Sequence, residues 1–286
     1  MIKDNNLQSL EFQICNATIE EMDFIFDLAT KEGWNPGLFD GKTVYYADPK
    51  GFFIGKLGNK PIGCVSGVTY GDTFGFLGLY IVIPEYRHKG YGIRLWNAAM
   101  QHLGDRNIAL DGVIEQQGNY KKSGFQFAYR NIRYEYIGKG VQSSKAISLK
   151  DLPISQISDY DRKFFPEERK IFLQQWVNMP NAVGYGITKE NKLEGMGMIR
   201  KCVNGYKIGP LYAENDDIAE ELFSSLCSHA SEQPIFIDVP EFNSNAMSWI
   251  NKKRVNKVFE TSRMYTKKAP SLFIDGIYGV TTLEIG

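Results

Sequence analysis

Apolar residues recur at helical spacing through Met22, Phe24, Ile25, Leu28 and Ala29, behind Thr18 and the acidic pair Glu20 and Glu21, and the run stops at Gly33. That is the pattern of a capped amphipathic helix, followed by a turn at Trp34-Asn35-Pro36-Gly37. Residues 52–57 and 62–70, on either side of a Gly58-Asn59-Lys60-Pro61 turn, predict a hairpin. From Phe76 to Ile83 the chain is apolar without a break, which suits a strand buried on both faces. Pro84 ends that strand, and a glycine loop leads into a helix carrying Leu95, Trp96, Ala99, Met100 and Leu103, closed by Gly104. A strand over 108–114, a helical turn beginning at Tyr120 and a strand from Phe125 to Tyr136 complete the unit. The polar stretch 138–145 reads as a linker, so a domain boundary near residue 145 is predicted.

The second half repeats this plan weakly. A hairpin around Glu190-Asn191-Lys192, a strand over 206–212, a strand over 235–239 and Arg263-Met264-Tyr265 echo the first half at a nearly constant offset of about 130 residues. Gly195 falls where Gly63 was, and Asp238 where Asp111 was. The loops differ in charge: the first half has Arg87-His88-Lys89-Gly90-Tyr91-Gly92, the second Ala213-Glu214-Asn215-Asp216-Asp217. An acidic loop repels phosphate, so only the first copy is expected to bind a phosphorylated group.

Composition narrows the class. The chain has 286 residues, 43% hydrophobic and 23% charged, enough to bury a core and too much to remain disordered. Its 33 basic and 33 acidic residues balance, so no global field recruits nucleic acid or anionic lipid, and neither is an expected partner. The start, residues 1–6, is polar and no long apolar run follows, which predicts a cytoplasmic protein without membrane contact. Cys15, Cys64, Cys202 and Cys227 stand singly, and His88, His102 and His229 stand apart, so neither a metal nor a disulfide framework is expected. The composition leaves a homodimer open.

Chemistry concentrates in the first glycine loop. Gly90 and Gly92 let backbone amides approach an anion at a helix N-terminus, and Arg87, His88 and Lys89 add local cationic character. A dinucleotide fingerprint would need glycine where Leu95 stands, and a meander precedes the loop instead of a parallel βαβ unit. Gly41-Lys42-Thr43 approaches a Walker loop, but Pro36 occupies the position of its first glycine.

Residues 80–95 resemble the acetyl-coenzyme A motif of the GNAT superfamily of N-acetyltransferases, whose core is [QR]-x-x-G-x-[GA], here Arg87, Gly90 and Gly92. Tyr120-Lys121-Lys122-Ser123-Gly124-Phe125 resembles that superfamily's second motif. The resemblance covers residues from about 10 to 137, and the remainder looks like the C-terminal acetyltransferase-like domain found after some bacterial GNAT domains. It implies an α/β (α+β) fold of two tandem GNAT-like units, each a mixed, mostly antiparallel sheet flanked by helices. Residues 1–140 would form the acetyl-CoA-binding domain and 146–286 a degenerate copy without the cofactor motif.

The implied activity is transfer of an acetyl group from acetyl-CoA to a primary amine of a small molecule or peptide, by direct attack in a ternary complex. By resemblance, backbone amides over Arg87, His88, Lys89, Gly90, Tyr91, Gly92 and Ile93 hold the pyrophosphate, and main-chain groups of Tyr80, Ile81 and Val82 pair with the pantetheine arm. Asn119 either bonds that arm or only shapes the turn after Gly118. Tyr120 would protonate the leaving thiolate, against a plain packing role. A protonated amine also needs a base; Asp111 is the first choice and Glu115 the second, while Glu32, Trp34, Asp40 and Asp238 are candidates for the acceptor side. A non-catalytic acyl-CoA sensor or tandem binding module stays open as the alternative.

Overall fold

The computed structural model describes residues 11–230 and 232–286; the polar start at residues 1–6 lies outside them. The first half runs β1 (Phe12–Asn16), α1 (Met22–Lys31), α2 (Asp40–Val44), β2 (Phe52–Leu57), β3 (Lys60–Tyr70), β4 (Phe74–Val82), α3 (Tyr91–Leu103), β5 (Asn107–Val113), α4 (Gln117–Lys122) and β6 (Gln126–Ile137). The second repeats it as β7 (Ile147–Ser148), α5 (Ile154–Asp161), α6 (Lys170–Val177), β8 (Ala182–Lys189), β9 (Lys192–Lys201), β10 (Tyr206–Ala213), α7 (Asp216–Cys227), β11 (Pro234–Pro240), α8 (Ser244–Asn251) and β12 (Val255–Tyr265), and adds β13 (Ile277–Gly279). Local chemistry accounts for the first elements. Thr18 and Glu21 accept from each other's backbone amides just ahead of α1, and α1 buries Met22, Ile25, Leu28 and Ala29 on one face.

All these strands belong to one mixed sheet of order β1-β2-β3-β4-β5-β12-β6-β11-β10-β9-β8-β7, with β13 on β10. Among the described residues its pairings are antiparallel except β4–β5 and β10–β11. The halves exchange their last long strands: β12 lies between β5 and β6, and β6 lies between β12 and β11. The extended segment between Ile137 and Ile147 carries the chain from one half to the other, while the sheet continues through both.

The exchange is locked by two crossed ion pairs. Arg263 on β12 grips Asp111 on β5 through both carboxylate oxygens, at 2.9 and 2.6 Å, and Arg133 on β6 grips Asp238 on β11 at 2.7 and 2.9 Å. All four side chains are buried, so each half supplies the counter-charge without which the other's aspartate would be stranded. This explains why Asp111 has an echo in Asp238.

Candidate active site

In β4 two residues, Leu79 and Tyr80, oppose the single Val65 of β3, and Leu79 takes a left-handed backbone, φ 47°. This bulge turns Leu79 and Ile81 into the core and Tyr80 and Val82 toward α3, where the Tyr80 ring meets Trp96 edge-on at 5.5 Å. Pairing with β5 stops at Leu77 opposite Leu110, so beyond Gly78 the two parallel strands splay apart and their facing edges have no strand partner. A cleft of about 370 Å³ occupies the splay, lined by Tyr80, Ile81, Val82, Asp111 and Tyr120 and by residues of the second half.

At its mouth the loop turns through His88, φ 61°, and Gly90, φ 83°, into α3. No side chain caps this helix, so among the described residues the amides of its first turn, residues 91–93, have no acceptor. Gly92 is required by contact: a Cβ there would lie 2.5 Å from the Tyr80 hydroxyl. Arg87 folds back, donating from Nε to the Val82 carbonyl at 2.7 Å and pairing with Glu32 beyond the end of α1. Lys89 lies over the Tyr86 ring, Tyr91 packs on Phe12, and Ile93 is exposed. Asn119 donates to Gln116, which lines the cleft.

Tyr120 stacks over Trp96 at 5.8 Å and sits on Gly112, where a Cβ would meet its ring at 2.1 Å. Its hydroxyl has no hydrogen-bond partner among the described residues. Burial, assisted by the neighbouring Tyr80, pushes its pKa up to about 12.

The carboxylates predicted for acceptor chemistry are placed differently. Asp111 lines the cleft, but its side chain is fully buried and its oxygens take three hydrogen bonds, one oxygen from Arg263 and Asn131 and the other from Arg263, which commits it to a structural ion pair. Glu115 is exposed and outside the cleft. Asp40 is buried away from it, capping the Gly37 amide and pairing with Arg200 at 2.9 Å. Asp238 is committed to Arg133. Glu32 and Trp34 do line the cleft, and the Trp34 carbonyl accepts from Arg133 at 2.8 Å. Sequence reading missed Arg133, Phe259, Thr261, Leu283 and Glu284, all of which line it. Arg133 had a signal in its echo near Arg263; Glu284 had none.

The equivalent splay in the second copy is filled by the chain itself. β10 pairs in parallel with β11 only over residues 206–208, and β13 pairs antiparallel with β10 farther along, at Leu211 and Tyr212. Helix α7 is capped by the Asn215 side chain and opens with Asp216 and Asp217, the first of them holding the Tyr278 hydroxyl. Both the slot and the anion site are closed.

A bulged strand splayed from its parallel neighbour, with an uncapped glycine-opened helix at the mouth, in a sheet built from two copies of one unit of which the first alone keeps its splay open, defines a tandem acyltransferase of the GNAT type. Residues 18–125 match the acetyltransferase (GNAT) family and residues 157–279 the acetyltransferase (GNAT) domain. Holothin acyltransferase of Pseudoalteromonas sp. (strain SANK 73390) is 31% identical over 278 residues, covering 94% of this chain and 93% of that protein. The chain belongs to the GNAT acyltransferase family. Its fold is shared with a putative acetyltransferase from Pyrococcus horikoshii, with a TM-score of 0.83 at 21% identity over 100% of this chain and 99% of that one. A tandem GNAT protein from the clavulanic acid biosynthesis pathway superposes with a TM-score of 0.61 at 12% identity, over 91% of this chain and 100% of that one. Among the described residues no helix is long and apolar enough to cross a membrane, and no cluster of metal-ligating side chains occurs.

Proposed function

We propose that the chain transfers an acetyl group from acetyl-CoA to a primary amine of a small molecule or peptide, by direct attack in a ternary complex, with Tyr120 as general acid. The observation that carries this reading is the unpartnered Tyr120 hydroxyl facing the splay beside the uncapped first turn of α3. The free amides of residues 91–93 suit a pyrophosphate, and the unpaired edge of β4 beyond Gly78 suits the amides of a pantetheine arm. The degenerate half shapes the acceptor end of the cleft through Phe259, Thr261 and Leu283. Holothin acyltransferase is named for its acceptor, so holothin heads the panel of amines to be tested.

Coenzyme A release measured over holothin, polyamines, amino acids, aminoglycosides and peptides tests the reading; a protein that binds acetyl-CoA yet releases none with any amine would be a sensor instead. Tyr120→Phe is expected to lower kcat about 100-fold while leaving the acetyl-CoA Kd within about twofold of wild type. Loss of both together would make Tyr120 a packing residue. A phenol pushed up to about 12 stays protonated over the working range, so no fall in kcat from Tyr120 is expected below about pH 11. A pH–rate profile falling near pH 9 in wild type but not in Tyr120→Phe would contradict this.

A further inference from the structure

The segment that follows β13 leaves the filled slot of the second copy and runs into the open cleft of the first. Residues 280–286 are buried throughout. Arg169 holds them, donating to the Gly286 carbonyl and to Thr281 Oγ1 at 2.8 Å each, while Asp161 neutralises it through two bonds of 2.8 Å. At Gly78 the approach is so close that a Cβ would lie 2.0 Å from the Glu284 carbonyl oxygen. Glu284 is thereby fixed on the cleft wall, 5% exposed.

Its carboxylate has no hydrogen-bond or ion-pair partner among the described residues. The arginines nearest in charge are committed, Arg133 to Asp238 and Arg200 to Asp40. Lys207 donates to the Trp34 carbonyl, at 3.5 Å, and burial together with the neighbouring Arg133 holds its pKa below the ordinary lysine range. Its charge is felt by Arg133, Arg200 and Lys207, yet none of them reaches it within ion-pair distance, so a nearly buried carboxylate on the cleft wall is left open to a cation that enters. The same cleft is lined by the aromatic rings of Trp34 and Phe259 and by Thr261, whose buried hydroxyl is unpartnered, as is the Oδ1 of Asn131 opposite it in register.

We propose that Glu284 binds the ammonium of the acceptor, an amine carried on an aromatic or similarly flat apolar body, and takes its proton as the nitrogen attacks. This rests on the amine-acylation reading above. The ammonium gives one proton to Glu284; the freed lone pair forms the C–N bond at the thioester carbon. The C–S bond then breaks with its electron pair on sulfur, Tyr120 protonates that sulfur, and the second proton leaving nitrogen restores the phenol. Glu284 passes its proton to water, so the balance is amide, free thiol and one proton.

The test is Glu284→Gln in the full chain, with acetyl-CoA as donor and holothin and 2-phenylethylamine as acceptors. Its kcat/KM for the acceptor is expected to fall about 30-fold, with acetyl-CoA Kd and Tm unchanged. A calorimetric titration of 2-phenylethylammonium into protein saturated with coenzyme A gives a readout independent of turnover: wild type binds, the variant does not. Wild-type acceptor KM and turnover in the variant would overturn the Glu284 role while leaving the acylation reading in place. Ammonium binding lost in the variant, alongside a wild type that releases no coenzyme A, would uphold the recognition role and reject the acylation; a wild type that neither binds nor acylates would reject both. If Glu284 were only the counter-charge of Lys207, the double variant Lys207→Met/Glu284→Gln would regain wild-type turnover; it is expected to stay impaired.

Discussion

Replacing Gly92 by valine is expected to weaken acetyl-CoA binding at least 100-fold, on the order of two charge-assisted hydrogen bonds. The Tyr80 hydroxyl lies 2.5 Å from where the first added carbon would be, and Val82 Cγ2 lies at 3.5 Å. Tyr80 cannot swing aside freely, since its ring is packed on Trp96. The strand end and the helix end must therefore separate, and the amides of residues 91–93 lose their aim together. Gly90 offers the control. It is left-handed, φ 83°, but nothing lies within 4 Å of its Cβ position, so Gly90→Ala should cost about 1 kcal/mol of backbone strain and much less affinity. Calorimetric titration with acetyl-CoA separates the two, and a wild-type Kd for Gly92→Val would place the anion site elsewhere.

Removing one arm of the crossed ion pairs should have the largest effect on stability. Arg263→Leu leaves Asp111, whose side chain has 0% exposure, as an uncompensated charge between strands of opposite halves, at a cost of about 3–5 kcal/mol. Neutralising the survivor in Asp111→Asn/Arg263→Leu should recover most of that loss, because the penalty comes from the stranded charge more than from the lost pair. Urea unfolding of the two variants measures the difference. A single variant within about 1 kcal/mol of wild type would mean that water reaches Asp111 and that the exchange of β6 and β12 is not held by these pairs.

Much of this was legible along the chain. The α1 helix, the β2–β3 hairpin, the glycine loop and α3 each follow from contacts between residues a few positions apart, such as Thr18 with Glu21 or Gly90 at a left-handed turn. The duplication was legible too, because corresponding strands keep their spacing. The acidic loop after β10 was legible and leads into the capped helix α7, whereas the plug that fills the splay beside it, β13, went unread: three residues, Ile277–Gly279, are too few to show a period.

The carboxylates show where local reading stops. Asp40, Asp111 and Asp238 each look available beside a turn or strand, and each is claimed by an arginine between 105 and 160 positions away. Glu284, which no motif marks, became the cleft's open carboxylate because Arg169 holds its segment beneath Gly78.

The sequence by itself determined two copies of one α/β unit and which of them opens its helix with a basic glycine loop, since hydrophobic period, glycine and charge act over a few residues. Only the tertiary structure decided that β6 and β12 trade places and that residues of the second copy line the cleft of the first. Both strands carry a half-buried pattern and an arginine at the equivalent register position, so neither period nor charge read along the chain distinguishes their partners, and the pairing appears only when the whole sheet is assembled.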